Sequence, residues 1–193
     1  MTQDKNKELN ITYNYLNLPA KVASFKSGST DKVEYLYDAM GNKLAKRPNA
    51  NAANTEYYLG DVVLKGSTFD VEYILTPEGK ADKTTSGYIY EYHLKDHLGN
   101  TRVAYTANTS GTANVVQQAD YYTFGMNIAI NGANNTNKYL YNGKEFQDNA
   151  LGGVGLDWYD YGARMYDPQL GRWMTLDPKA TKVLCYLTIR LLC

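Results

Sequence analysis

Tyrosine-centred units recur along this chain roughly every 20 residues, and this repeat constrains the fold more than any other feature of the sequence. The tyrosines that mark the units are Tyr15, Tyr37, Tyr58, Tyr73, Tyr92, Tyr122, Tyr141 and Tyr161. A unit of this length holds a strand, a turn and a second strand, but it is too short for a repeat of paired helices. The widest interval, between Tyr92 and Tyr122, indicates an insertion around residues 110–115.

The aromatic composition agrees with a β-repeat, since the chain has 19 Tyr against 4 Phe and 2 Trp. Tyrosine favours strands, and its hydroxyl needs a hydrogen-bond partner, so it suits a half-wet sheet face better than a sealed core. Apolar residues nowhere keep helical spacing for three turns, and glycines recur too often for long helices. The sequence therefore predicts an all-β fold, in which tyrosine-rich hairpins form an open antiparallel strip.

Four short motifs mark the expected turns of this strip. D-A-M-G at residues 38–41 and D-H-L-G at residues 96–99 place Asp first and Gly fourth, as a type I turn requires. T-P-E-G at residues 76–79 has proline at the second position, where its fixed φ fits a turn. Asn142-Gly143 is the strongest two-residue hairpin signal and predicts a type I′ turn. Residues 108–115 are interpreted as a polar loop, and residues 127–137 as a surface excursion between two strands.

Five stretches occur in an order that resembles the Rhs (YD-repeat) family. They are Y-D-A-M-G at 37–41, Y-H-L-K-D-H-L-G-N-T-R-V-A-Y at 92–105, D-Y-Y-T-F-G-M at 120–126, Y-L-Y-N-G-K-E-F at 139–146 and Y-G-A-R-M-Y-D-P-Q-L-G-R-W at 161–173. The resemblance covers about residues 11–178. It implies a secreted or cell-surface β-strand strip that spirals into a hollow shell around a toxic C-terminal domain. The partners would be the rest of the shell and that enclosed toxin, with tyrosines lining a partly wet interior.

The resemblance also implies an aspartyl autoprotease, in which two aspartates in D-P motifs about twenty residues apart share a proton. Asp177 matches the first D-P, but no second D-P follows it here, so the chain is expected to be a non-catalytic segment. In the catalytic interpretation Arg172 orients Asp177. In the alternative, Arg164 and Arg172 cover aromatic faces. Asp167, ten residues before Asp177, is interpreted as a structural turn residue.

The two ends are expected to differ from the repeat region, which spans residues 11–180. Residues 1–10 are expected to fray, because a chain that begins inside a repeat array lacks its preceding neighbour. Residues 181–193 lose the tyrosine and glycine pattern and contain both cysteines, Cys185 and Cys193. They are interpreted as an aberrant tail from a frameshift or truncation.

The sequence disfavours nucleic-acid binding, a membrane span, a metal site and a phosphate-binding loop. Lys+Arg and Asp+Glu are both 20, so no net field attracts nucleic acid. No apolar run reaches the roughly 20 residues of a membrane span, and the N-terminus lacks a signal peptide. His93 and His97 have helical metal-site spacing but lie in a strand and a turn, and residues 152–155 are interpreted as a flexible bend, not a phosphate loop. No cofactor or metal is predicted.

A carbohydrate-binding or surface-binding module remains the alternative to a structural role, because exposed tyrosine rings stack on sugars. The direction in which the rings face decides between the two.

Overall fold

The computed structural model describes residues 1–108, 110–130 and 137–177 of the 193-residue chain. Its fold is almost entirely β, as predicted, and in the described residues the helical structure consists of two 3-10 turns at Ala52–Asn54 and Tyr141–Gly143. Thirteen strands belong to one sheet: β1 Gln3–Asp4, β2 Leu9–Tyr13, β3 Pro19–Ser24, β4 Lys32–Tyr37, β5 Lys43–Pro48, β6 Glu56–Leu59, β7 Val62–Lys65, β8 Asp70–Thr76, β9 Gly79–Thr84, β10 Gly87–Lys95, β11 Thr101–Ala107, β12 Ala113–Tyr121 and β13 Asn127–Ile130.

This 13-stranded sheet, here called the strip, has the simplest possible topology. Its strands are ordered β1 to β13 without a crossover, and every neighbouring pair is antiparallel. Consecutive short strands with tight turns can only pair with their chain neighbours, so the repeat leads directly to a strip. The open antiparallel sheet predicted from the sequence is confirmed.

The C-terminal residues form two smaller sheets. The cap sheet consists of β14 Glu145–Gln147, β17 Trp158–Asp160, β18 Met165–Asp167 and β19 Arg172–Trp173, and a short hairpin consists of β15 Ala150–Leu151 and β16 Val154–Gly155. Gly152 and Gly153 connect this hairpin with φ of 64° and 82°, values that glycine adopts without strain. Residues 152–155, expected to be a flexible bend, are therefore the turn and the returning strand of a hairpin.

The hydrophobic core lies between the first strands of the strip and the cap sheet. Burial alternates along β4, where Val33 and Tyr35 are buried and Leu36 is exposed. The core residues are Leu9, Ile11, Val22, Val33, Tyr35, Leu151, Leu156, Trp158, Met165 and Met174. We call the face of the strip that carries this core the inner face.

One loop conformation recurs between strands. At residues 38–42 the Asp38 N–H donates to the Asn42 carbonyl, the Gly41 N–H donates to the Asp38 carbonyl, and Asp38 Oδ1 accepts from the N–H groups of Met40 and Asn42. Residues 96–100 repeat the same bonds from Asp96. The predicted hairpin turns at 38–41 and 96–99 are thus confirmed, and each fourth-position glycine has positive φ.

The same loop corrects the interpretation of residues 108–115. Asn108 replaces aspartate, and its side chain accepts from the N–H groups of Ser110 and Thr112. The insertion is therefore another hairpin, and its return strand β12 already begins at Ala113. An asparagine can do this because its carbonyl oxygen caps the same backbone groups as a carboxylate.

The other turn predictions have mixed outcomes. Pro77 and Glu78 form a two-residue connection, since Thr76 pairs with Gly79. Asn142 and Gly143 both have positive φ, of 50° and 64°, as a type I′ turn requires, but the Leu140 N–H donates to the Lys144 carbonyl, so the loop has three residues, not two.

Two further segments differ from the sequence-based expectation. Residues 127–130 are strand β13 rather than a surface excursion, and residues 131–136 lie outside the described part. Residues 1–10, expected to fray, are placed in the strip: Gln3 pairs with Asn10, and the Lys7 ammonium donates to the Leu156 carbonyl at 2.7 Å. Residues 181–193 lie outside the described residues.

Substitutions at two glycines in equivalent loops can test whether Tyr141 packs against one of them. Residues 122–126 repeat the hydrogen bonds of the 108–112 loop, so Gly125 and Gly111 occupy the same position, with φ of 87° and 77°. A Cβ on Gly125 would lie 2.5 Å from the Tyr141 ring, whereas one on Gly111 would meet nothing within 4 Å. We expect Gly111→Ala to lower the free energy of unfolding by about 1 kcal/mol through backbone strain alone. Gly125→Ala adds the clash, for a total of about 2–4 kcal/mol.

Urea unfolding of the two variants measures the difference. Equal losses would show that Tyr141 does not pack on the 122–126 loop.

Candidate functional site: a buried ionic seam

Five charged side chains meet where the inner face of the strip contacts the cap sheet, and we call this cluster the ionic seam. Lys43 and Lys46 come from β5, Glu56 from β6, Glu145 from β14 and Asp160 from β17. Their side chains are 0–10% exposed. Buried charges persist only when they are paired, so the geometry of this cluster decides whether the two sheets can associate.

A β-bulge places both lysines on the same face of β5. Tyr35 pairs with Lys46 and Tyr37 pairs with Lys43, although the tyrosines are two positions apart in the chain and the lysines are three. The register shift after Leu36 absorbs the extra residue. Without it, Lys43 and Lys46 would point to opposite faces.

The ion pairs of the seam are short. Lys43 Nζ lies 2.5 Å from Glu145 Oε2 and 2.7 Å from Asp160 Oδ2. Lys46 Nζ lies 2.8 Å from Glu56 Oε2 and 3.4 Å from Glu145 Oε1. Glu145 is therefore the one carboxylate that both buried lysines share.

Two residues at the rim complete the seam. The Tyr58 hydroxyl lies 2.8 Å from Glu145 Oε1 and 3.0 Å from Glu56 Oε2, and its ring centroid lies 4.3 Å from Lys43 Nζ. Lys138 Nζ, which is partly exposed, lies 3.1 Å from Glu56 Oε1. With Lys138 included, three ammonium groups face three carboxylates, so the seam has no net charge.

In the pKa values of the buried seam residues, the attraction between paired charges outweighs the effect of burial. Burial alone would raise the pKa of Glu145, but Lys43, Lys46 and the Tyr58 hydroxyl lower that pKa to about 2. Burial disfavours the charged forms of Lys43 and Lys46, yet their carboxylate partners raise both pKa values. Glu145, Lys43 and Lys46 are accordingly ionised at neutral pH.

Tyrosines extend the seam along the inner face. The Tyr35 hydroxyl donates to Gln147 Oε1 at 3.1 Å, and the Tyr73 and Tyr139 hydroxyls lie 3.5 Å apart. Burial raises the pKa values of Tyr35, Tyr37 and Tyr73 well above the ordinary range. The Tyr37 hydroxyl is buried and has no hydrogen-bond partner among the described residues.

Residues 137–152, here called the crossing segment, run back across the strip towards its beginning. Asn137 N–H donates to Gln117 on β12, and Thr101 on β11 donates through Oγ1 to the Tyr139 carbonyl. Further along, Glu145 reaches β5, and the Gly152 N–H donates to Asp31 Oδ2 at 3.0 Å beside β4. The crossing segment thus ties strands that are far apart in the strip.

The residues singled out from the autoprotease resemblance lie on the cap sheet or just after it. Asp177 is half exposed, and its Oδ2 lies 3.0 Å from Arg164 Nη2. The Arg164 guanidinium also lies 4.2 Å from the Trp173 ring centroid, so it has the aromatic contact considered from the sequence and also contacts the aspartate that was considered as the partner of Arg172. Arg172 lies on β19 opposite Asp167, with an exposed side chain.

Asp167 is a turn residue, as predicted, and it is fully buried. Its Oδ1 accepts from the N–H groups of Gln169 and Leu170, and its Oδ2 accepts from Trp158 Nε1 at 3.2 Å. Lys7 Nζ lies 3.7 Å from the same oxygen.

The two histidines, which have the sequence spacing of a helical metal site, do not lie together in the structure. His93 is buried on β10 with Nε2 at 2.8 Å from Glu91 Oε1, whereas His97 lies in the 96–100 loop. Among the described residues no group of three His, Cys, Asp or Glu side chains is arranged to hold a metal ion.

Sequence reasoning did not identify the seam. Of its charged residues only Glu145 lies in one of the five Rhs-like stretches, the one at 139–146, and Lys43 meets acids more than 100 positions away in the chain. The available signal was the pair of charged residues Lys43 and Lys46, which follows the predicted turn at 38–41. Their side chains share one face only because of the β-bulge, which no motif predicts.

We expect Glu145→Gln to lower the free energy of unfolding by about 3 kcal/mol at pH 7, because it leaves buried lysines with one fewer charge partner. A group with a depressed pKa stabilises the folded state above its unfolded pKa, and it loses that effect as the pH falls through the folded value. The difference between wild type and variant should therefore shrink between about pH 4.3 and pH 2. Denaturant unfolding over this range measures it.

The matched control is Glu34→Gln, which removes the half-exposed pair with Lys32 and should cost less than about 1 kcal/mol. A Glu145→Gln penalty as small as the control, or one that stays constant down to pH 2, would contradict the assignment.

The fold is similar to that of known proteins. No family model matches this chain. Salivary gland surface protein 1 of Aedes aegypti is 29% identical over an alignment 170 positions long, which covers 76% of this chain and 5% of that protein. A chain in the crystal structure of TcdB2-TccC3-Cdc42 aligns with 89% of this chain at a TM-score of 0.65 and 22% identity, and a chain of the Photorhabdus luminescens Tc holotoxin pore aligns with 90% at 0.62 and 21%.

The chain spans about 9% of the length of these toxin chains. At this identity the likeness shows a shared fold, which agrees with the Rhs-like strip expected from the sequence. Within the described ranges, no helix is long and apolar enough to cross a membrane.

Proposed function

We propose that this chain is a non-catalytic structural segment of a larger β-shell of the Rhs type, whose inner face is turned towards an enclosed polypeptide. The observation that carries the proposal is the uninterrupted order of the thirteen strands. A strip of this kind can be lengthened at either edge by one more hairpin without changing its topology. It is therefore suited to be one part of a longer wall.

The two faces of the strip support the same role. Along β10, Glu91 and His93 are buried on the inner face, while Tyr90 and Tyr92 are exposed on the outer face. The ionic seam and the crossing segment hold the cap sheet against the inner face at one end. A strip that forms part of a shell has one face covered by protein and one face exposed to solvent, and this strip has both.

The similarity to Tc toxin chains supports the partners that we propose. These are the remaining strands of a shell and a C-terminal toxin domain inside it, in a secreted or surface-exposed assembly. The toxin chains are far longer than this one, which agrees with a segment of a wall. We also propose that Asp177 acts in this chain as the ion-pair partner of Arg164, which fixes the chain beside the cap sheet, and that it does not catalyse cleavage.

The edge strand β13 provides the test. A strip segment leaves backbone N–H and C=O groups at its edges ready to pair with another strand, so the isolated chain should associate as its concentration rises. Ile128 lies on β13 and is 37% exposed. We expect Ile128→Lys to weaken association at least tenfold, because a charged edge residue blocks strand addition.

Sedimentation velocity over a concentration series measures this effect. The control is Leu36→Lys on β4, an exposed apolar residue in the interior of the strip, which should leave association unchanged. A wild-type chain that stays monomeric throughout, or equal effects of the two variants, would contradict a role as a strip segment.

The outer face favours carbohydrate binding as a second candidate function. Tyr88, Tyr90 and Tyr92 are 40–57% exposed on β10, and Tyr105 of β11 stacks on Tyr92 with a centroid distance of 5.5 Å. Rings displayed in this way can stack on neutral sugar rings. Retardation by neutral polysaccharides in native gels, lost in Tyr90→Ala, would support this function, and unchanged mobility would exclude it for those sugars.

A further inference from the structure

The ionic seam contains the parts of a covalent cross-link between its two sheets. We propose that Lys43 and Asp160 form an intramolecular isopeptide bond, a side-chain amide between Lys43 Nζ and Asp160 Cγ, with Glu145 as the residue that moves the protons. The bond would join β5 of the strip to β17 of the cap sheet.

The geometry brings the three groups into mutual contact. Glu145 and Asp160 are opposite each other in the β14–β17 register, so their carboxylates lie side by side. Lys43 Nζ sits between them, at 2.7 Å from Asp160 Oδ2 and 2.5 Å from Glu145 Oε2. Nζ is thus in hydrogen-bond contact with the carboxylate whose Cγ it would attack, and holding the two groups together removes much of the entropic barrier to a bimolecular reaction.

The surroundings exclude bulk water from the pair. The side chains of Lys43, Glu145 and Asp160 are 10%, 6% and 8% exposed. The Tyr58 ring lies beneath the Lys43 ammonium, and the partly buried Tyr37 is the register partner of Lys43. Exclusion of water favours condensation, because the reaction releases a water molecule and hydrolysis needs one to return.

The step balances without any outside reagent. A proton passes from the Lys43 ammonium to the Asp160 carboxylate, which yields a neutral amine and a neutral carboxylic acid. Nζ then attacks Cγ, Glu145 takes the second amine proton, and Glu145 returns that proton to the hydroxyl of the tetrahedral intermediate. The Cγ–O bond breaks, the hydroxyl leaves as water, and an amide remains.

The contacts also distinguish the roles of the two acids. Glu145 is held by Lys46 and Tyr58 as well as Lys43, which keeps its carboxylate ionised and oriented to accept a proton. Asp160 Oδ2 faces Lys43, while its Oδ1 accepts from the Gly162 N–H at 2.7 Å. This N–H can stabilise the negative charge that develops on the carbonyl oxygen as Nζ attacks.

The ion-paired form is the resting state, since the partner carboxylates raise the pKa of Lys43 against the effect of burial. The neutral amine and acid are consequently a minor species. The bond should therefore form slowly in the folded protein, and not during folding.

Intact-mass spectrometry of the full chain, denatured after increasing times at neutral pH, tests the proposal. We expect a species that has lost the mass of one water molecule, and its share should grow with time. Protease digestion should then yield a branched peptide that joins the segments containing residues 43 and 160. A wild-type chain that keeps its sequence mass at all times overturns the proposal.

Two lysine variants complete the test. Lys43→Arg keeps the positive charge but cannot form this amide, so it should keep its full mass. Lys138→Arg changes a lysine at the rim of the same seam, and it should lose water as the wild type does. Loss of water that persists in Lys43→Arg, or a branched peptide through Glu145 in place of Asp160, would show that the assigned bond is wrong.

Discussion

The pairing of the buried Glu145 carboxylate is the interaction on which the rest of this structure depends. Removing a carboxylate from water costs several kcal/mol, and only charged and hydrogen-bonded partners offset that cost. Glu145 finds two lysines and a tyrosine hydroxyl, all of them on the strip. Because every partner comes from a different sheet than Glu145, the charge is satisfied only when the cap sheet is docked.

This dependence explains how a strip with neighbour-only pairing acquires long-range structure. Hairpins alone would leave residues 1–130 as a ribbon with an uncovered apolar face. The cap sheet covers Leu9, Val22 and Val33 on that face, and it also reaches the other end of the strip, where the Tyr159 hydroxyl donates to the Gly125 carbonyl at 3.3 Å. At the N-terminal end the Met1 ammonium donates to the Met174 carbonyl at 3.2 Å. One small sheet therefore holds both ends of the strip.

The features that could be predicted from the sequence are the local ones. The D-x-x-G loops follow from the capping chemistry of Asp38 and Asp96 together with glycine at positive φ, and the strip follows from the spacing of the hairpins. The loop at Asn108 was missed because asparagine replaces aspartate there. The seam could not be predicted, since the common face of Lys43 and Lys46 depends on a bulge and their acids come from distant parts of the chain.

A double-mutant cycle between Lys46 and Glu145 tests the dependence on this charge most directly. The free energies of unfolding of wild type, Lys46→Met, Glu145→Gln and the double variant give the coupling between the two side chains. We expect a coupling of at least about 2 kcal/mol, because each single change leaves the other group buried with a lost partner. Additive effects, with a coupling within about 0.5 kcal/mol of zero, would show that the two sheets associate independently of this charge pair.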